Sequence, residues 1–238
     1  MPIRLADIEA RIRVLRLEPR GAFQCAPQDQ VPAQTDGVPA RSLVLIGTIG
    51  SGFWPAFDAA RSRLGDHPHP LDAYSRQIIT ALAGEFGAMA LFPFEGPPWL
   101  PFTRWAQRAE AVHAAPIGPL IHPHYGLWHA YRGALSFDRE ITGISTPVQL
   151  PSPCDSCKDK PCLSTCPVAA FSEAGYAVSV CRDHLHRAAG RRCMESGCLA
   201  RQACPVGAEY RYRPDHARFH MQAFLKAHST APAADAEI

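Results

Sequence analysis

No apolar run in this 238-residue chain approaches the roughly 18 residues that a membrane-spanning helix needs. The start, Met1-Pro-Ile-Arg-Leu-Ala-Asp-Ile-Glu, lacks the apolar centre of an export signal. These absences predict a soluble, cytoplasmic protein with no membrane partner. Charge of one sign is also missing: 24 Lys and Arg face 22 Asp and Glu, and a formal +2 gives nucleic acid no general attraction. Neither a G-x-G-x-x-G fingerprint nor a P-loop is present, so no nucleotide site is expected. Cysteine is nearly absent before residue 150, where Cys25 alone sits in a Pro- and Gln-rich loop and reads as an incidental thiol. Proline, in contrast, is abundant at 23 residues and predicts long, stiffened loops. An apolar fraction of 47% excludes wholesale disorder and leaves enough chain for a real core.

Hydrophobic spacing divides the chain at about residue 150. Leu5, Ile8, Ile12 and Leu15 recur at helical intervals, and so do Leu71, Tyr74, Ile78 and Leu82 before a stop at Gly87. Residues 21–41, with Pro27, Pro32 and Pro39, read as a loop. Ser42–Gly47 is a short apolar run of the buried-strand kind, followed by a glycine-rich turn with Gly50 and Gly52 and then a helix. Met89–Phe92 and Ala130–Phe137 are further strands. Alternating strands and helices predict an α/β layer over residues 1–150. Beyond it the chain turns Cys-, Arg- and Gly-rich over 151–212. A last helix is expected over 213–228, with Ala217, Met221, Phe224, Leu225 and His228 on one face, and a frayed tail over 229–238.

Eight of the nine cysteines fall between residues 154 and 204. They form two fours, Cys154-x2-Cys157-x4-Cys162-x3-Cys166-Pro and Cys181-x11-Cys193-x4-Cys198-x5-Cys204-Pro. In a reducing compartment such density points to metal rather than disulfides. Each four closes on Cys-Pro, an expanded form of the C-x2-C-x2-C-x3-C-P run of two-cluster ferredoxins, whose fourth Cys ligates the other cluster. Crossing the ligands in that way pairs Cys154, Cys157, Cys162 and Cys204 around one 4Fe-4S cluster. Cys166, Cys181, Cys193 and Cys198 then hold the other. Two four-thiolate zinc sites are the competing reading. Residues 151–238 carry 11 Lys and Arg against 9 Asp and Glu, while residues 1–150 balance at 13 each. Two oxidised clusters would add about −2 apiece, so Arg182, Arg187, Arg191, Arg192 and Arg201 make sense as local compensation. A nucleic-acid face is the rival reading of these arginines.

A second constellation spans 122–133: His-Pro-His-Tyr-Gly-Leu-Trp-His-Ala-Tyr-Arg-Gly. Its aromatic faces and guanidinium fork suit the mouth of a pocket for a flat, polar-edged ligand. A packed loop with Trp128 in the core and Arg132 as a structural anchor suits it equally. The segment resembles one in the cobalamin-processing CblC family. The eight-cysteine arrangement resembles that of epoxyqueuosine reductases and reductive dehalogenases, relatives that join a nitroreductase-like, corrinoid-binding α+β layer to a dicluster ferredoxin-like module. The two likenesses together cover roughly residues 40–205.

The resemblance implies a corrinoid pocket lined by His122, Tyr125, Trp128 and Arg132, with Gly47, Gly50 and Gly52 admitting close backbone approach. Asp183-His-Leu-His186 departs from the D-x-H-x-x-G cobalt-ligating motif, because Leu185 stands where its His belongs, so a base-off corrinoid without a His ligand is implied. No counterpart of the helical-repeat extension by which epoxyqueuosine reductases grip tRNA is expected within these 238 residues. The expectation is therefore an iron–sulfur oxidoreductase that passes electrons from a soluble donor through two 4Fe-4S clusters to a bound cobalamin or other corrinoid, reducing it or removing its upper ligand. The alternatives are a dicluster electron carrier serving a partner enzyme, or an epoxyqueuosine reductase-like activity.

Overall fold

The helical spacing of Leu5, Ile8 and Ile12 becomes α1 (Leu5–Val14), followed by β1 (Glu18–Gln24), β2 (Ser42–Ile49), α2 (Trp54–Arg61) and α3 (Pro70–Phe86). Then come β3 (Met89–Leu91), α4 (Phe102–Ala109), a hairpin of β4 (His113–Ala114) and β5 (Leu120–Ile121), and β6 (His129–Phe137). The cysteine-rich part holds α5 (Pro161–Ser164), β7 (Phe171–Ser172), β8 (Gly175–Tyr176), α6 (Val178–Leu185), α7 (Arg191–Ser196), α8 (Leu199–Gln202) and α9 (Pro214–His228). The structure is a computed structural model that describes residues 3–172 and 175–228. The tail expected at 229–238 lies outside the described residues.

Two compact units make up the chain, one of residues 1–112 and 129–151, the other of 113–128 and 152 onward. The segment 113–128, expected with the first 150 residues, is thus part of the cysteine-rich unit. The physical reason is a shared core: Ile117, Ile121 and Leu127 pack with Cys204, Cys154, Cys162 and Val206.

The first unit is built on a four-stranded sheet in the order β1-β2-β6-β3, antiparallel throughout. The alternation of strands and helices therefore does not signal parallel crossovers, and the layer is α+β. β2 is central, and alternate side chains point to opposite faces. Val44 and Ile46 join Ile8, Ile12, Ile79, Leu82, Leu135 and Phe137 in one core, while Leu43 and Leu45, facing the other way, are equally buried. The expected loop at 21–41 starts late, because β1 runs to Gln24. A register shift between Pro19 and Ala22 accommodates Pro19 and Gly21 on this edge strand.

A buried ion pair fixes the sheet to the end of α4. Arg20, 1% exposed, donates to both carboxylate oxygens of Glu110 at 2.7 and 2.6 Å. Its guanidinium lies 4.9 Å from the Tyr131 ring, whose hydroxyl donates to the same carboxylate at 3.2 Å. Burial pushes the Tyr131 hydroxyl far above its ordinary range.

Candidate metal centre

Short helices and turns set out the eight thiols. Cys154 and Cys157 lie in the turns before α5, Cys162 inside it and Cys166 two residues past it. Pro161 opens α5 with its φ already helical, after Lys160 in the left-handed region. Cys181 sits in α6, Cys193 in α7, Cys198 at the N-cap of α8 and Cys204 two residues past α8. None of the eight is in a disulfide. α5, α7 and α8 are four, six and four residues long, too short to be stable without something that ties them together.

Burial raises the pKa of Cys154, Cys162, Cys181, Cys193, Cys198 and Cys204, and repulsion between neighbouring thiolates adds to it. The source of that repulsion sorts the cysteines. Cys154 is opposed by Cys204 and Cys157, Cys162 by Cys204, Cys154 and Cys157, and Cys204 by Cys157. Cys181 is opposed by Cys166, Cys193 by Cys181 and Cys166, and Cys198 by Cys181 and Cys193. In every case the repelling thiolates belong to one set, {154, 157, 162, 204} or {166, 181, 193, 198}. Two residues in different parts of the chain thus complete each other's sets: Cys204 joins the first run and Cys166 the second.

The thiols are also provided with donors. The Cys198 sulfur accepts from the amides of Ala200 and Arg201, Cys193 from Leu199, Cys204 from Val206, and Cys166 from Ala170 at 3.4 Å. The Tyr176 hydroxyl bonds Cys181. Such donors stabilise thiolate and are what a sulfur-ligated metal group requires around it. Among the described residues of this unit, two buried side-chain nitrogens have no hydrogen-bond partner, Trp128 Nε1 and His184 Nε2. His184 lies one turn after Cys181 on α6, and Trp128 borders a cavity of about 40 Å³ with Cys198, Gln202 and His220, room for one water. Soft donors in two fours, N–H···S bonds and spare buried nitrogens all fit a metal–sulfur group. Among the described residues no three His, Cys, Asp or Glu side chains form a site for a single metal ion.

The segment 122–128 is a clamp on the chain after Cys204. His122 and Gly126 exchange backbone hydrogen bonds at 2.9 Å, and His122 Nδ1 accepts from the amides of His124 and Tyr125. Its ring stacks on Tyr125 with centroids 4.3 Å apart. Gly126 has φ +57°, and a Cβ there would lie 1.9 Å from the Val206 carbonyl oxygen. Gly207, at φ +66°, would meet the Tyr125 carbonyl carbon at 2.4 Å. Tyr210 bonds His124 Nε2 at 2.6 Å. Trp128 is covered by the Arg201 guanidinium, which lies 4.8 Å from its ring and 4.5 Å from that of Tyr212, and which donates to the Leu127 carbonyl.

Arg132 and the three glycines belong to the other unit. Arg132 donates to Asp72 at 2.6 Å and to Ser75 at 3.0 Å, anchoring β6 to α3. Asp72 also lines a groove of about 520 Å³ with His67, His69, Arg76 and Phe94. Gly47 sits where β2 shifts register, with the Ala130 carbonyl oxygen 2.1 Å from where a Cβ would be, so the close approach there is to a neighbouring strand. Gly50 has φ +53° in the turn, whereas Gly52 has room for a side chain. Burial and Asp29 push the Cys25 thiol up to about 12, the state of an inert thiol.

Sequence reasoning missed Tyr176 and His184. His184 was within reach through its i, i+3 spacing from Cys181, but Tyr176 meets Cys181 only through the β7–β8 hairpin.

No protein-family model and no curated protein matches the chain. Among solved structures it is similar to the B12-trafficking protein CblC of C. elegans, at 12% identity and a TM-score of 0.53 over 96% of this chain and 98% of that one. It is also similar to epoxyqueuosine reductase from Bacillus subtilis, at 13% identity and a TM-score of 0.50 over 89% of this chain and 68% of that one. At these identities what the chain shares with them is the fold.

Proposed function

We propose that the chain is an iron–sulfur oxidoreductase that holds two 4Fe-4S clusters and passes electrons to a corrinoid. The observation that carries the reading is the sorting of eight thiols into two crossed sets, each drawing one member from the other run. Cys154, Cys157, Cys162 and Cys204 would hold one cluster; Cys166, Cys181, Cys193 and Cys198 the other. Bound there, such clusters supply one-electron transfer. The chain's own groups set the conditions: amides of Ala170, Leu199, Ala200, Arg201 and Val206 and the Tyr176 hydroxyl donate to the ligand sulfurs, and partial burial limits their contact with water. Spare donors at Trp128 and His184 lie on the side of the second set, which would make that cluster easier to reduce than the first.

The corrinoid is supported by the likeness in fold to CblC and epoxyqueuosine reductase and by the segment 122–133. Iron and acid-labile sulfide near eight of each per chain, with 4Fe-4S signals on reduction, are expected from the reconstituted protein. Zinc alone would refute the cluster reading. An anaerobic titration with hydroxocobalamin should then give a saturable shift to a base-off spectrum, and cobalt should be reduced once the clusters are.

A dicluster electron carrier without a corrinoid is the second reading. It is favoured by one observation: Arg132 and His122 already have hydrogen-bond partners inside their own unit, Tyr125 is stacked on His122, and the Trp128 ring is covered by Arg201. A flat corrinoid titration over intact clusters would select it.

A further inference from the structure

Among the described residues of the cysteine-rich unit, only two large apolar side chains are exposed, Tyr176 at 38% and Val180 at 43%. Both flank Cys181. Val180 precedes it on α6, and the Tyr176 hydroxyl bonds its sulfur. Basic residues follow in the same stretch of chain. Arg187, Arg191 and Arg192 are exposed, and none has an ion-pair partner among the described residues. Arg182, beside Cys181, pairs with its neighbour Asp183 at 2.9 Å. A Cβ at Gly190 would lie 2.3 Å from the His184 carbonyl oxygen, so the start of α7 presses directly on the end of α6.

Three unpaired guanidiniums within six residues exceed what a solvated helix face needs, and an exposed Val and Tyr on either side of a partly buried ligand sulfur is a second, independent signal. From this surface we infer the docking site of an acidic one-electron carrier protein, on Tyr176, Val180 and the arginines 182, 187, 191 and 192. The inference rests on the iron–sulfur reading proposed above. Arginines would steer the carrier and the small apolar centre would give a brief contact, the pattern of weak redox encounters. The transfer balances simply: the carrier loses one electron, the metal group of the second set gains it, and no bond forms or breaks. An RNA partner fits less well. Val180 offers nothing to phosphate or base, and the unpaired arginines are bunched rather than strung along a path.

The test uses the full-length, iron-reconstituted chain, with a strongly acidic [2Fe-2S] ferredoxin as the probe. Its reduced form should reduce the protein in a second-order reaction that slows about 10-fold or more between low and high salt. Arg187→Glu, Arg191→Glu and Arg192→Glu together should slow it about 10- to 100-fold at low salt and abolish binding of the oxidised probe in a sedimentation or interferometry assay. Should that variant not retain iron, the Gln triple variant gives the same reading with a smaller drop. Val180→Ser should slow the reaction while leaving its salt slope unchanged. Intact clusters reduced at a salt-independent rate, unaffected by the triple variant, would overturn the docking site and leave the cluster reading standing. Zinc without iron would overturn both. Salt-dependent binding of tRNA but not ferredoxin, lost in the triple variant, would give the arginines to RNA and overturn this inference.

Discussion

Replacing Gly126 by Ala tests the clamp on the chain after Cys204. The new Cβ would lie 1.9 Å from the Val206 carbonyl oxygen, where ordinary contact begins near 3.4 Å, so the two loops must part by about 1.5 Å. An L-residue at φ +57° adds about 1–2 kcal/mol of backbone strain. Overpacking against backbone that cannot turn aside adds about 1–3 kcal/mol. The sum is about 3 kcal/mol, enough to shift a urea midpoint by more than 1 M at typical slopes. Gly118 separates the two effects, since it has φ +100° with nothing within 4 Å. Gly118→Ala should cost only the strain, about 1–2 kcal/mol. Gly207→Ala opens the same contact from the other side, so the double variant with Gly126→Ala should cost less than the sum of the singles. Iron content is the second readout. Val206 is two residues from Cys204, and its displacement should deplete the first-set cluster while the second remains. A Gly126→Ala protein with the midpoint of Gly118→Ala and full iron would refute the clamp.

Further outcomes follow from the site. Cys166→Ala should perturb the signals of the second-set cluster and Cys204→Ala those of the first, read by EPR and iron analysis; the opposite assignment would break the crossed sorting. Arg132→Ala should lower stability by about 1–2 kcal/mol through loss of the Asp72 and Ser75 bonds, with cluster spectra unchanged, and any corrinoid affinity should weaken with it. Cys25 should resist iodoacetamide at pH 8 in the folded protein and react at once after unfolding, followed by mass spectrometry. Its folded pKa is raised, so the stability it contributes is full below the unfolded value near 9 and is lost as pH rises toward about 12.

Periodicity in the sequence reveals α1, α3 with its Gly87 stop, α9, and the strands β2, β3 and β6, because each carries its own apolar pattern. β1 hides behind Pro19 and Gly21, residues that an edge strand tolerates only through a bulge. α4 was legible in principle, with Phe102, Trp105, Ala106 and Ala109 all buried on one face, though its eight residues sit between prolines and short strands. The pair Arg20–Glu110 joins residues 90 apart and has no local signature. The cysteine runs were legible because thiol spacing is dictated by chemistry rather than by packing. The segment 122–133 was harder: it reads as one motif, yet the chain passes from one compact unit to the other between Trp128 and His129. A string of consecutive residues carries no mark of such a crossing.

The sorting of thiols has a consequence for how the chain is made. The second set is complete once Cys198 has left the ribosome, although it draws Cys166 from the earlier run. The first set, three of whose members emerge long before, stays one ligand short until Cys204 appears. Sites filled as the chain emerges would therefore be completed against sequence order, and a released chain ending between residues 198 and 204 should carry a complete second set of thiols beside a first set one ligand short.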